Sequence, residues 1–159
     1  MEALPLFLLL LIANASPVIA RVVLGDSLAA PLDFDRTLGD GRPLLGPSKT
    51  WRGLVTATLV STLCAPLLGL AWQIGTLVGV LAMLGDALSS FVKRRLGMAS
   101  GAMAPGLDHI PESLLPLLAC RPLLALSWTE VVLSSLGFMA ANLLLSRVAY
   151  HLGLREHPY

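Results

Sequence analysis

Leu84-Gly85-Asp86-Ala87-Leu88-Ser89-Ser90-Phe91-Val92-Lys93-Arg94-Arg95 closes the third apolar run of this 159-residue chain, placing an aspartate inside a segment long enough to cross a bilayer and ending it on three cations. A carboxylate in hydrocarbon costs a few kcal/mol at the least, so such groups are retained to meet an ion, a proton or a substrate. At about 1.5 Å of rise per helical residue, Asp86 lies roughly 10 Å below Lys93. In a helix, Asp86, Ser89, Ser90 and Lys93 follow the i, i+3, i+4, i+7 rule and share one polar face on an otherwise apolar rod.

The composition fixes the solvent. Hydrophobic residues make up 55% of the chain and charged residues 13%, with a mean hydropathy of +0.77. These values exclude an ordinary soluble globular protein and give one integral membrane domain over residues 1–159. Cys64 and Cys120 sit in separate apolar runs without metal-type spacing and read as small core residues.

Apolar runs near the length of a bilayer cover 3–24, 53–72, 74–92, a shorter stretch 113–126 broken by Pro116 and Pro122, and 129–148. The expectation is an all-α polytopic protein of five crossings, with two long polar connections, 25–52 and 93–112, and short joins near Gln73 and Ser127. Arg36, Arg42, Lys49, Arg52 and Lys93 to Arg95 lie in the long connections, and Arg147 and Arg155 are at the C-terminus. The positive-inside rule therefore makes these regions cytoplasmic and leaves the N-terminus outside, as five crossings require. The plasma, or inner, membrane is the expected location. The only charge ahead of the first run is Glu2, and a cleaved secretory leader wants a positive start, so the first run is read as a span.

The first long connection contains turn signals at Asp40-Gly41 and Gly46-Pro47 and runs into Ser48-Lys49-Thr50-Trp51-Arg52-Gly53. Hydroxyls, two cations and free backbone amides at the start of a helix suit phosphate oxygens. A basic juxtamembrane anchor with an interfacial tryptophan is the plainer alternative. It leaves unexplained both the turns and the four aspartates, Asp26, Asp33, Asp35 and Asp40, among the cations.

In the second connection, Asp108-His109-Ile110-Pro111-Glu112 returns two carboxylates to the membrane surface. With Asp86 they make three oxygen donors of the kind that hold Mg²⁺ together with substrate phosphates. Taken singly, Asp108 and Glu112 would read as solvated or helix-start charges. In the first run, Ala13-Asn14-Ala15-Ser16-Pro17 is a polar island in which Asn14 either satisfies backbone groups freed by Pro17 or faces a ligand. Asn142 and Ser146 read as contacts between helices, and Glu130 as an interfacial charge.

Ala13-Asn14-Ala15-Ser16-Pro17, Gly39-Asp40-Gly41-Arg42, Gly46 to Gly53, and Gly85-Asp86 with Lys93-Arg94-Arg95, in that order, closely resemble the CDP-archaeol synthase family, a branch of the phosphatidate cytidylyltransferase superfamily. The resemblance spans nearly the whole chain and implies five helices. It further implies transfer of a cytidylyl group from CTP to a lipid phosphate, such as digeranylgeranylglyceryl phosphate, at the cytoplasmic face, with release of pyrophosphate. By resemblance Asp86 and Asp108 would bind a divalent metal, and Lys49 and Thr50 would meet nucleotide phosphates. One position departs: where archaeal members tend to carry a second loop aspartate, this chain has Pro111, followed by Glu112.

The expected site thus contains Asp86, Asp108 and Lys93 as the catalytic set, with Glu112 beside the two aspartates as a metal ligand. Asn14, Lys49, Thr50, Arg52, Ser90 and Arg94 line the substrate. The attacking lipid phosphate is already anionic, so the chemistry asks for charge neutralisation and alignment rather than a strong base. CTP, a bilayer lipid phosphate and Mg²⁺ are the expected partners, without nucleic acid. A small ion-coupled carrier is the alternative reading of an intramembrane aspartate, although it leaves 48–53 without a role. The acceptor lipid and the oligomeric state are not specified by the pattern.

Overall fold

The computed structural model describes residues 3–104 and 106–151, the side chains of the last three excepted. Glu2 and Arg155 lie outside the described residues. The chain is all-helical, with five helices among the described residues: α1 (Ala3–Leu24), α2 (Trp51–Leu67), α3 (Trp72–Arg95), α4 (His109–Cys120) and α5 (Trp128–His151). At about 1.5 Å per residue, α1 is about 33 Å long and α3 about 36 Å. α1, α3 and the 128–148 part of α5 are long and apolar enough to cross a membrane. α2, with 17 residues, and α4, with 12, are shorter.

Helix boundaries depart from the apolar runs for identifiable reasons. α2 stops at Leu67, and Gly69, at a φ of +79°, turns the chain so that the Leu70 amide reaches back to the Ala65 carbonyl. Trp72 therefore opens α3 rather than closing α2. α4 begins at His109, four residues ahead of its apolar run, because Pro111 falls in the first turn, where no intrahelical N–H is required. It ends at Cys120 because Pro122 has no N–H to continue the ladder. Glu112 is consequently a helix residue, not a loop residue. Glu130 does more than mark an interface: its carboxylate accepts from the Ser127 amide and hydroxyl at 2.8 Å while Ser127 Oγ accepts from the Glu130 amide, a capping box that starts α5. Asn142 donates to the Phe138 carbonyl of its own helix.

α3 is the hub. It packs most extensively against α2 and α4, and also meets α1, while α5 leans on α1 and α4. Apolar burial gains little inside lipid, so close backbone approach must hold these helices together. A Cβ at Gly79 would lie 2.6 Å from the Thr58 Cα of α2, and one at Gly85 would land on the Pro111 backbone of α4. Hydroxyl pairs add to this, Thr62 with Thr76 at 2.9 Å and Ser113 with Ser135 at 2.8 Å. Large apolar side chains such as Leu59, Leu63, Leu133 and Leu144 point outward, and the buried set includes Lys93, Arg94, Glu112 and Ser90. That inversion of the water-soluble pattern belongs to a protein whose solvent is lipid.

Candidate active site

Gly85 sits where α3 touches α4, so the next residue, Asp86, emerges at the junction of these helices. Lys49 Nζ donates to both its carboxylate oxygens, at 2.6 and 2.5 Å. The carboxyl of Glu112, on the first turn of α4, faces Asp86 within hydrogen-bond reach. Asn14 Nδ2 of α1 donates to Glu112 Oε2 at 2.7 Å. A continuous polar chain, Lys49 to Asp86 to Glu112 to Asn14, therefore joins the first loop, α3, α4 and α1. Two carboxyls this close need a cation or a proton to offset their repulsion, and the Lys49 ammonium lies beside them.

Two turns toward the basic end of α3, Lys93 Nζ pairs with Asp108 Oδ1 at 2.5 Å and also donates to the Ala102 carbonyl. Asp108 Oδ2 accepts from the Ala104 amide at 2.7 Å. The field of Lys93 reaches Asp86, and that of Arg94 reaches Asp108. Arg94 is buried and donates to the Ala99 carbonyl at 2.8 Å, and Ser90 is buried on the same side of the helix as Asp86 and Lys93. Asp86 and Glu112 are neighbours, while Asp108 is held by Lys93. Among the described residues no three of His, Cys, Asp and Glu converge on one point.

The loop 25–50 that carries Lys49 contains no strand, only two isolated bridges, Pro31 with Thr50 and Thr37 with Pro43. Asp40-Gly41 makes the anticipated turn, with Gly41 at a φ of +72° and the Leu38 amide donating to the Arg42 carbonyl. Arg95 Nη1 clasps both Asp40 oxygens at 2.7 Å, and Arg42 Nη1 donates to the Arg95 carbonyl at 2.7 Å. The hairpin tip is thereby latched to the end of α3. Thr50 caps α2, its hydroxyl accepting from the Gly53 amide at 3.2 Å. Arg52 donates to the Gly25 and Ser27 carbonyls at 2.6 and 2.7 Å and braces the end of α1. Of the anticipated residues, Asn14, Lys49, Asp86 and Glu112 form one connected group, Lys93 and Asp108 an adjoining pair, and Thr50 and Arg52 face backbone.

Asp33 was not singled out by the sequence. It is 5% exposed, and its carboxylate accepts from the amides of Leu45 at 2.8 Å, Gly46 at 3.1 Å and Asp35 at 3.2 Å. Burial works against the charged form, but these N–H groups outweigh it and hold the carboxyl below its ordinary value.

A family model described as CarS-like CDP-archaeol synthase matches residues 2–74 and 69–159. Among curated relatives, the CDP-archaeol synthase of Hyperthermus butylicus is 39% identical over 147 residues, covering 83% of this chain and 84% of that protein. The CDP-archaeol synthase of Aeropyrum pernix is 35% identical over 167 residues, covering 100% and 92%. A solved structure, described as an intramembrane enzyme for archaeal membrane lipid biosynthesis, superposes with a TM-score of 0.77 at 32% identity, covering 91% of this chain and 92% of that one.

Proposed function

This chain belongs to the CDP-archaeol synthase family, and from that premise we propose that it moves a cytidylyl group from CTP to the phosphate of an isoprenoid ether lipid. It is an integral membrane enzyme, and membership decides for a transferase over an ion-coupled carrier. An oxygen of the lipid phosphate attacks the α-phosphorus of CTP, the bond from that phosphorus to the bridging oxygen of the β-phosphate breaks, and pyrophosphate leaves with the electron pair. The product is a CDP-lipid.

The barrier is the approach of two polyanions. Lys49, Lys93 and Arg94 offer three cations along one wall, and each lysine is presented by a carboxylate that fixes where its ammonium sits. Lys49 and Lys93 meet the triphosphate and Arg94 either phosphate, while Ser90 and Asn14 line the wall beside them. Thr50 and Arg52 shape the entrance, the Thr50 hydroxyl by capping α2 and Arg52 Nη1 by bracing α1. The donor chemistry fits a hard divalent cation, since the carboxyls of Asp86 and Glu112 face each other as oxygen donors and Asp108 is tied to the adjoining Lys93. When bound there, Mg²⁺ supplies neutralisation of the triphosphate and of the departing pyrophosphate. Asp86 and Glu112 would hold it, with Asp108 released from Lys93 as the third donor.

The reading extends to placement in the bilayer. Of the described cations only Arg121 lies at the end where α2 meets α3 and α4 meets α5, whereas the others gather at the opposite end, which we take as cytoplasmic, with α2 and α4 completing five crossings of the inner membrane. The single observation that carries the function is the chain of Lys49, Asp86, Glu112 and Asn14 drawn from four elements into a lipid-embedded interior. Purified protein given Mg²⁺, labelled CTP and a panel of lipid phosphates should form a CDP-lipid, most rapidly with the unsaturated ether lipid. No product with any panel member would overturn the assignment.

A further inference from the structure

Lys49 reaches Asp86 from a loop that has neither helix nor strand, so its position is set by a few bonds within that loop. Its carbonyl accepts from the Leu32 amide at 2.7 Å, and its own amide donates to the Gly46 carbonyl at 3.2 Å. Leu32 and Gly46 are 14 residues apart. Asp33, next to Leu32, joins them, because its Oδ2 accepts from the amides of both Leu45 and Gly46 while Oδ1 turns the chain at Asp35. Gly46 itself stands at a φ of +94°, and a Cβ there would lie 3.2 Å from Ser100 Oγ and 3.9 Å from Arg94 Nη1. The same turn that anchors Lys49 therefore abuts the second loop and Arg94.

We propose that Asp33 is a positioning residue for nucleotide binding: its buried carboxylate fixes the turn at Gly46 and the segment at Leu32, and through them the place of the Lys49 ammonium. The chemistry asks for a carboxylate. Three N–H groups converge on two oxygens, and an amide in its place would offer one oxygen and turn an NH₂ toward donors. The inference rests on the reading that Lys49 meets the phosphates of CTP.

A double-mutant cycle with Asp33→Asn and Lys49→Met, read by steady-state kinetics in a lipid bilayer mimetic, tests it. Asp33→Asn should raise the KM for CTP about ten-fold, the scale of a buried acceptor lost to several donors, while the KM for the lipid phosphate stays within about two-fold. In the Lys49→Met background the same substitution should leave the KM for CTP unchanged, because the group it positions is gone. Multiplicative effects, or equal rises in both KM values, would make Asp33 a general scaffold and overturn the proposal. An unchanged KM for CTP in Lys49→Met alone would overturn the role of Lys49 and this inference with it, while CDP-lipid formation by the wild type would still stand. Asp33→Glu keeps the charge and moves the oxygens by one methylene, and it carries the same cycle if Asp33→Asn does not fold.

Discussion

Two ion pairs fasten the first loop to α3, and in bond geometry they are nearly alike. Lys49 meets both oxygens of Asp86 at 2.6 and 2.5 Å, and Arg95 meets both oxygens of Asp40 at 2.7 Å. Their surroundings separate them. Asp40 is 43% exposed, and its arginine also holds the Arg42 and Pro43 carbonyls, so the pair is a latch in water. Asp86 is 23% exposed, with Glu112 against it and Asn14 beyond. Bringing a second carboxyl beside a buried one is unfavourable unless a cation or proton joins them, so a fold seeking only stability would not build it. On the proposed reading the first pair is a site that also fastens; the second only fastens.

The largest effect should follow from removing the acid of the inner pair. Asp86→Asn is expected to lower turnover at least about 100-fold, the scale of losing a preorganised electrostatic contact, while membrane insertion and helicity are retained. Chelation of divalent cations should abolish activity to a similar extent and be reversed by Mg²⁺. If Asp86→Asn works near the wild-type rate, the two pairs are equivalent and the distinction collapses. Lys49→Met comes next, with the KM for CTP rising about ten-fold or more. In the absence of nucleotide the same variant should bind Mn²⁺ more tightly than wild type in a titration followed by paramagnetic resonance, because the ammonium no longer competes for Asp86. Weaker binding would make Lys49 a support of the metal site instead of its rival.

The inner pair was half legible in the sequence. Apolar length alone located the long helices, and Asp86 and Lys49 stood out because one was a charge in hydrocarbon and the other opened a helix among turns. The meeting of Asn14 with Glu112 was hidden, since 98 residues separate them and each had a satisfactory local reading. α4 was misplaced by four residues at its start because hydropathy detects only the apolar part of a helix, whereas His109 to Glu112 form its polar first turn. Thr50 and Arg52 have the right chemistry for phosphate, yet the Thr50 hydroxyl caps α2 and Arg52 Nη1 holds the end of α1. Asp33 stood out only as one of four loop aspartates, because its contacts depend on amides 2, 12 and 13 residues ahead converging in space.

Asn14→Ala should have a smaller effect than Lys49→Met. It removes the amide donor on Glu112 Oε2 and leaves a buried carboxyl short of a partner, a loss of about 1–3 kcal/mol, read as a lower thermal midpoint together with a several-fold lower kcat. Asn14→Asp would add a third acid to the group, and its activity should fall further as pH rises. A variant equal to wild type at all pH values would detach α1 from the site.

The smallest effects are those of two loop acids on stability at low pH, and there the buried and the exposed acid share a direction but not a leading cause. Both Asp33 and Asp40 are held below the ordinary carboxylate value. For Asp33, burial opposes ionisation and the amides of Leu45, Gly46 and Asp35 outweigh it. For Asp40, the Arg42 amide is the leading cause, opposed by desolvation and reinforced by Arg95. A depressed folded value means that the stabilisation is complete above the unfolded pKa and is lost as pH falls through the folded one. Thermal stability of the wild type should therefore drop on acidification below the usual aspartate value of 3.8, and Asp33→Asn should flatten that acid limb. Asp40→Asn should flatten it less and keep activity within about two-fold, with the difference from wild type vanishing in high salt, since an exposed pair is screened there. If Asp40→Asn instead raises the KM for CTP as Lys49→Met does, the outer latch also places the nucleotide and belongs with the inner pair.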